Sequence, residues 1–403
     1  MALNILSILS LVAATILLGY LGDWVFKKTS IPDPIWLMMF GLLVGPVLQL
    51  IDTGLFVTAM PLLAVIALVI ILFEGGLELK VNNLLKEFLP ATKLSLVNLL
   101  TSIVVVTLLM ILVFRFEPVP ALLMGAIVSG TGSAVILSII NRIHVRDKIK
   151  TMVSLESIIT DPITIVVVIA VIGLVVPINS GLPWAVIASG FSTAIITGFL
   201  FGVSWMYVMF KHNMANFKYM LTMAILLALY VITEILGGSG AIAVFIFGIV
   251  LGNSHLFNWL IKIREIHQFN KTLIEMHEEF SFFIRAFFFV NLGLIFSLKQ
   301  EFIILGVLIT LTILIGRYVS TKISLWKSDV NKEEQKLIWF MGSRGLAAAV
   351  MAQLPTTYGL ANHEMYSTVA FIVIFLTILF TTVTLKFAYK PESAISAESA
   401  LTA

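Results

Sequence analysis

Glu156 and Asp161 sit where the chain has little water to offer a carboxylate. The stretch Ser154-Leu-Glu-Ser-Ile-Ile-Thr-Asp-Pro-Ile-Thr164 leads into uncharged apolar sequence from Ile163 to Val176, a composition that belongs in a lipid bilayer. A charged side chain at that depth costs roughly 3 kcal/mol or more, so a carboxylate kept there marks a functional position. A carboxyl group short of water holds its proton more firmly than one in solution. A small cation can displace that proton where protein oxygens take over the ion's hydration shell. Proton and cation then compete for one group, and opening the site to the two sides of the membrane in turn makes the competition an exchange. Asp161 is the expected centre of this chemistry. The plainer reading of the residue is an Asp that caps a broken helix.

Spacing nominates the oxygens around it. Ser157 lies four residues before Asp161, one helical turn away on the same face. Thr131 and Ser133 offer hydroxyls within Ser129-Gly-Thr-Gly-Ser133, where glycines interrupt an apolar segment and free backbone carbonyls. The expected sodium ligands are Asp161, Ser157 and Thr131, with Ser133, Thr160 and Glu74 completing the ion-binding set. Thr160, directly before Asp161, is uncharged; an acidic residue there would be expected to bind a further proton. One carboxylate carries one proton or one monovalent cation, so the expected exchange is one for one and electroneutral. Glu156 is five residues before Asp161 and points elsewhere on the helix. It is expected to form a structural ion pair with Arg317 or Arg344, both of which lie inside apolar segments.

The elements that must position these residues are membrane helices. Of 403 residues 60% are hydrophobic and 12% charged, with a mean hydropathy of +1.08. A soluble chain would carry roughly twice that charge. There are no cysteines, so disulfides and thiolate metal sites are excluded. Thirteen apolar segments are expected, at about 4–22, 34–51, 57–77, 94–114, 120–141, 151–176, 182–210, 218–236, 240–252, 280–297, 302–323, 336–354 and 365–388. The first lacks a charged leader and a cleavage site and reads as a retained helix. Alternate connections hold 20 of the 25 Lys and Arg, against Arg115 and Lys299 in the other set, while Arg285, Arg317 and Arg344 lie inside segments. That asymmetry places the N-terminus outside and the C-terminus in the cytoplasm. Gly342-Ser-Arg-Gly345 breaks a segment seven places after the one broken by Ser129–Ser133, and an odd offset gives the two halves opposite orientations, as an inverted repeat requires. The connection 253–279 carries His267, His277, Glu275 and Glu278, a cluster able to sense cytoplasmic pH or to form an amphipathic interfacial helix. Residues 391–403 read as a disordered tail behind a single membrane unit, 1–390.

Other classes fit poorly. An intramembrane aspartyl protease needs two aspartates at depth, and Asp161 is alone in that respect. No His-Glu-x-x-His zinc motif is present, and no basic patch suggests nucleic acid. An ionisable site beside two breaks favours occlusion over a continuous channel. The reading is a transporter rather than an enzyme, with no cofactor.

Leu72-Phe-Glu-Gly-Gly-Leu77, the Glu156-Ser-x-x-Thr-Asp-Pro162 run and Gly342-Ser-Arg-Gly345, in this order and spacing, resemble the NhaP-type sodium/proton antiporters, relatives of the animal sodium/proton exchangers. The resemblance covers nearly the whole chain. It implies an all-α polytopic antiporter fold with two inverted six-helix units, crossed broken helices and a homodimer in a prokaryotic plasma membrane. Helices 1–3 and 8–10 would form the scaffold, and helices 4–6 and 11–13 the ion-carrying core. It assigns the ion-binding Asp to Asp161, its neighbouring Ser to Ser157, the ion-pair Glu to Glu156 and the two arginines to Arg317 and Arg344, with Arg317 the favoured partner of Glu156. Two positions depart from the pattern: Thr160 replaces Asn, and Gly132 replaces the Asp of a Thr-Asp-Pro triplet. Sodium, with lithium, is the expected ion; potassium or mixed selectivity is the alternative, ahead of a sodium-coupled organic-anion symporter.

Overall fold

Backbone polar groups find no water inside a bilayer, so spanning segments must satisfy themselves as helices. The computed structural model describes the chain except at residues 1, 30, 51–53, 80–84, 141–142, 144, 176–182, 212–217, 258–270, 327 and 388–403. The tail and His267 therefore lie outside the described residues. Among those described there is no strand. The helices are α1 (Ala2–Thr29), α2 (Asp33–Leu42, continued by a π-turn Leu43–Val47), α3 (Gly54–Glu78), α4 (Leu85–Leu112), α5 (Pro118–Ile127), α6 (Ser133–Ile140), α7 (Asp147–Val175) and α8 (Pro183–Lys211). They continue as α9 (Lys218–Ile235), α10 (Gly240–Gly252), α11 (Lys271–Leu294), α12 (Gln300–Ser324), α13 (Lys332–Phe340), α14 (Leu346–Met351), α15 (Leu354–Thr357) and α16 (His363–Phe387). Each expected apolar segment falls on one of these helices or on a broken pair. Among the described residues, stretches of α4, α7, α8, α9, α12 and α16 are long and apolar enough to cross a membrane. One boundary differs from expectation: α11 begins at Lys271, so Glu275, His277 and Glu278 belong to a helix rather than to a connecting loop.

The two glycine-rich breaks separate α5 from α6 and α13 from α14. Proline at the first position starts α5, and its backbone leaves helical geometry at Val128. α13 begins with a capping box, Asn331 with Glu334, and stops at Met341. Carbonyls at the end of α13, orphaned by the break, are taken up by side chains. Arg317 Nη2 donates to the Ile338 and Met341 carbonyls (3.0 and 3.2 Å), and Thr381 Oγ1 donates to the Phe340 carbonyl (2.8 Å).

The breaks cross and touch. Gly132 N–H donates to the Ser343 carbonyl at 2.8 Å. A Cβ on Gly132 would stand 2.6 Å from Gly345 Cα, and one on Gly345 would stand 2.5 Å from Gly132 Cα. Backbone meets backbone, so each position requires glycine. α4 packs against α5, α7 and α12, and α12 packs against α4 and α16, which buttresses the crossing from both sides. On the far side of the bundle α3 and α10 approach through Gly76 and Gly248, the small-residue contact typical of membrane helices.

Polar contacts tie residues at the start of α7 to residues at the start of α13. Arg146 forms a bidentate pair with Glu334, the same residue that caps α13. Lys148 Nζ donates to Asp329 Oδ1 at 2.6 Å and holds that exposed carboxyl below its usual range.

The crossing can be tested by contrast. Gly345→Ala is expected to lower the melting temperature of the detergent-solubilised protein, with an overpacking cost of about 1–3 kcal/mol. Gly173→Ala in α7, where nothing lies within 4 Å of the new methyl, should be neutral or stabilising by about 0.5–1 kcal/mol. Equal melting temperatures for the two variants would remove the glycine-on-glycine contact as a constraint.

Candidate functional site

Asp161 occupies the middle of α7, 8% exposed. Pro162 follows it inside the helix and has no N–H, so the Ile158 carbonyl loses its α-helical partner one turn before Asp161. Across the gap the first residue of α6 meets the carboxylate. Ser133 Oγ donates to Asp161 Oδ2 at 2.7 Å, and Ser133 N–H approaches the same oxygen at 3.3 Å. A helix N-terminus favours negative charge, so the break holds the ionised carboxylate in place through α6.

Thr160 links the same two elements in a second way. Its hydroxyl lies 2.7 Å from Thr131 Oγ1 and accepts from Thr131 N–H at 3.3 Å. It also donates to the Ser157 carbonyl at 3.1 Å. A hydroxyl reaches less far than an amide, and here it sits directly on the unwound backbone. Gly130 fits the same packing, since a Cβ there would meet Thr164 Oγ1 at 2.5 Å. Gly132 lacks a side chain because Gly345 occupies the space, so the departure from an acidic residue has a packing cause.

Asp161 opens onto a cavity of about 300 Å³. Its wall combines Glu74 and Glu78 of α3, Ser133 of α6, Ile158 and Asp161 of α7, Glu278 and Arg285 of α11, and Leu346 of α14. Glu74 is half-buried and accepts a hydrogen bond from Ser281 Oγ of α11. Glu78 and Glu278 are exposed, so the cavity runs from solvent at one end of α3 and α11 to Asp161 at its floor. The cavity can admit a hydrated cation, offer it carboxylate and hydroxyl oxygens, and present one carboxylate that a proton can also occupy.

Other expected residues fall elsewhere. The Ser157 hydroxyl donates back to the Ser154 carbonyl at 2.9 Å and not to Asp161; in a dry helix interior a serine satisfies itself on the preceding turn. Glu156 and Arg317 are both buried and form a bidentate pair, Nη1 to Oε1 and Nη2 to Oε2, the latter at 2.7 Å. Of the two arginines expected for a structural ion pair, Arg317 takes Glu156, the favoured choice, and Arg344 is no part of that pair. Its Nη2 donates to Ser102 of α4 at 3.0 Å and its backbone N–H to Thr377 of α16, so the crossing has turned it toward α4. His277 is buried, its Nδ1 3.3 Å from Tyr219 Oη and its ring edge-on to Phe73. The histidine is packed inside the bundle, where the sequence left it either in a pH-sensing cluster or on an amphipathic interfacial helix. The Glu275 side chain lies outside what is described.

The cavity wall on α3 and α11 was foreseen only in part: Glu74 was in the expected ion-binding set, but Glu278 was read with the histidine cluster, and Glu78 and Arg285 were given no role. The signal was present. Glu74 and Glu78 are four residues apart, and Glu278, Ser281 and Arg285 are spaced three and four apart, so each set shares one helix face.

Apolar helices with two broken ones crossing beside a mid-helix carboxylate define a polytopic membrane carrier of the antiporter fold. The solved sodium proton antiporter MjNhaP1 from Methanocaldococcus jannaschii superposes with a TM-score of 0.82 over 94% of this chain and 99% of that one, at 22% identity. The family model "Sodium/hydrogen exchanger, transmembrane" matches residues 13–390, and the chain belongs to that family. Among its relatives are the K(+)/H(+) antiporter NhaP of Alkalimonas amylolytica, 26% identical over 332 residues, and the Na(+)/H(+) antiporter 1 of Methanocaldococcus jannaschii, 25% identical over 349 residues. The matches cover 79% and 84% of this chain, and 55% and 80% of those relatives. The chain thus spans about half the length of the Alkalimonas protein.

The ion pair carries a stability prediction. Glu156→Gln leaves the Arg317 charge buried and unpaired, which typically costs about 3–5 kcal/mol. A Glu156→Met, Arg317→Met double variant should lose less than the two single variants summed, while still lacking the Arg317 cap on the Ile338 and Met341 carbonyls, read as melting temperature in detergent. A double variant no better than the sum of the singles would show that the pair is not the unit that matters.

Proposed function

We propose that the chain exchanges a monovalent cation, sodium or lithium, for a proton across the membrane, with both competing for Asp161. The observation that carries this reading is Asp161 at the floor of an open cavity, held by the N-terminal residue of a broken helix. Glu74 is engaged by Ser281, while Glu78 and Glu278 stand at the rim. Glu78 and Glu278 thus share the cavity with Asp161 and Glu74, the two carboxylates expected in the ion-binding set, but Asp161 is the one in contact with the break. Ser133 supplies the hydroxyl in contact with Asp161 and Glu74 a second carboxylate in the cavity wall, whereas the expected donors Thr131 and Thr160 are bonded to each other at the break. Potassium is the alternative cargo, favoured by Gly132, which leaves the crossing one carboxylate poorer than the family pattern.

The cavity lies between the expected scaffold, represented by α3 and α11, and the expected core, represented by α6, α7 and α14. We read it as the access route from one side. The basic connections that follow α3 and precede α11 support a cytoplasmic position for that side, in a prokaryotic plasma membrane. Sliding or rocking of the core against the scaffold would move Asp161 to the other face. A homodimer held through the scaffold accords with this division.

Purified protein in liposomes loaded with a pH-sensitive dye tests the reading. Pulses of Na⁺, Li⁺ and K⁺ should release trapped protons, with the ranking of the three identifying the cargo. Asp161→Asn should abolish the signal while the protein still elutes as a folded species; residual exchange in that variant would falsify the assignment. The wild-type rate should stay constant when a membrane potential is imposed, and steep voltage dependence would show that the exchange is not one for one.

A further inference from the structure

One charge in the cavity has no part in the exchange described above. Arg285 of α11 is half-buried in the wall that Glu74, Glu78, Asp161 and Glu278 also line. Among the described residues its guanidinium comes within 4 Å of no carboxylate. Arg317, by contrast, is clamped on Glu156. Arg285 lies one turn beyond Ser281, which holds Glu74, and two turns beyond Glu278 at the rim. α11 therefore lends a single fixed positive charge to a space whose other charged groups are all acidic.

We propose that Arg285 is a tethered competitor of the transported cation, a residue that sets the apparent ion affinity by partly neutralising the cavity without itself ligating the ion. The inference rests on exchange at Asp161. A guanidinium is more weakly hydrated than an ammonium, which suits a half-dry wall. A cavity of about 300 Å³ is roughly 8 Å across. At that separation, and with an effective dielectric constant of ~20–40, one unit charge changes cation occupancy by about 5- to 30-fold. Arg285 would thus keep ion affinity low enough for release, where the acidic wall alone would retain the ion.

The test is the Michaelis constant for the transported cation, measured in the same liposomes with Arg285→Gln, Arg285→Lys and Glu278→Gln. Arg285→Gln should lower KM by about 5- to 30-fold at low ionic strength, and the effect should shrink when an inert salt screens the cavity mouth. Arg285→Lys, which keeps the charge, should stay within about twofold of wild type, since it preserves the point charge and alters only its shape. Glu278→Gln removes an exposed rim charge and should raise KM. An unchanged or raised KM in folded Arg285→Gln would overturn the proposal, as would Arg285→Lys behaving like Arg285→Gln. Should Arg285→Gln fail to fold, an unchanged KM in Glu278→Gln overturns it and a raised one supports it. Failure of the exchange reading itself looks different, because the wild type would then move no protons on any cation pulse.

Discussion

Unwound backbone inside a bilayer must find its hydrogen bonds in protein, and in this fold two unwound stretches find them in each other. The Gly132 N–H to Ser343 carbonyl bond, with Gly345 stacked on Gly132, sets the depth and angle at which α5–α6 and α13–α14 cross. Everything polar at the centre takes its place from that contact. Ser133 starts α6 one residue after the crossing and reaches Asp161; Thr131 precedes it by one and reaches Thr160. The two bonds register α7 against the break along its length. A side chain at Gly132 would push these elements apart, so the missing carboxylate and the close crossing are one fact seen from chemistry and from packing.

The interior sorts its charges into two environments. Glu156 and Arg317 are sealed from solvent and bound to each other in a fork-to-fork geometry, which suits a planar guanidinium. Arg317 also caps the broken end of α13, where a cation meets the negative end of a helix dipole. Removing its charge would therefore disturb the crossing as well as Glu156. On the opposite face of α7 Asp161 looks into a cavity with water access, where charges can be exchanged. Five residues along one helix separate the fixed pair from the exchangeable site, and that rotation keeps the two from short-circuiting.

α3 and α11 contribute three carboxylates and an arginine to the cavity onto which Asp161 opens. Ser281 holds Glu74 across the gap between them, and His277 packs on Phe73 one turn away. The rim glutamates extend the same faces outward. The wall facing Asp161 is consequently a shaped electrostatic surface.

Local spacing and composition by themselves determined much of this protein: a membrane location, the positions of the helices, the two breaks, and the segregation of Glu156 from Asp161. These follow because hydrophobic runs, glycine interruptions and helical periodicity act within a turn or two of chain. The tertiary structure alone decided matters that depend on how helices rotate and approach one another. It chose Arg317 over Arg344 for Glu156, buried His277, spent the Ser157 hydroxyl on its own helix, gathered Glu74, Glu78, Glu278 and Arg285 around Asp161, and gave Gly132 its reason. Those outcomes rest on contacts between residues up to 242 positions apart, as between Ser102 and Arg344, and no local pattern specifies which faces of two distant helices will meet.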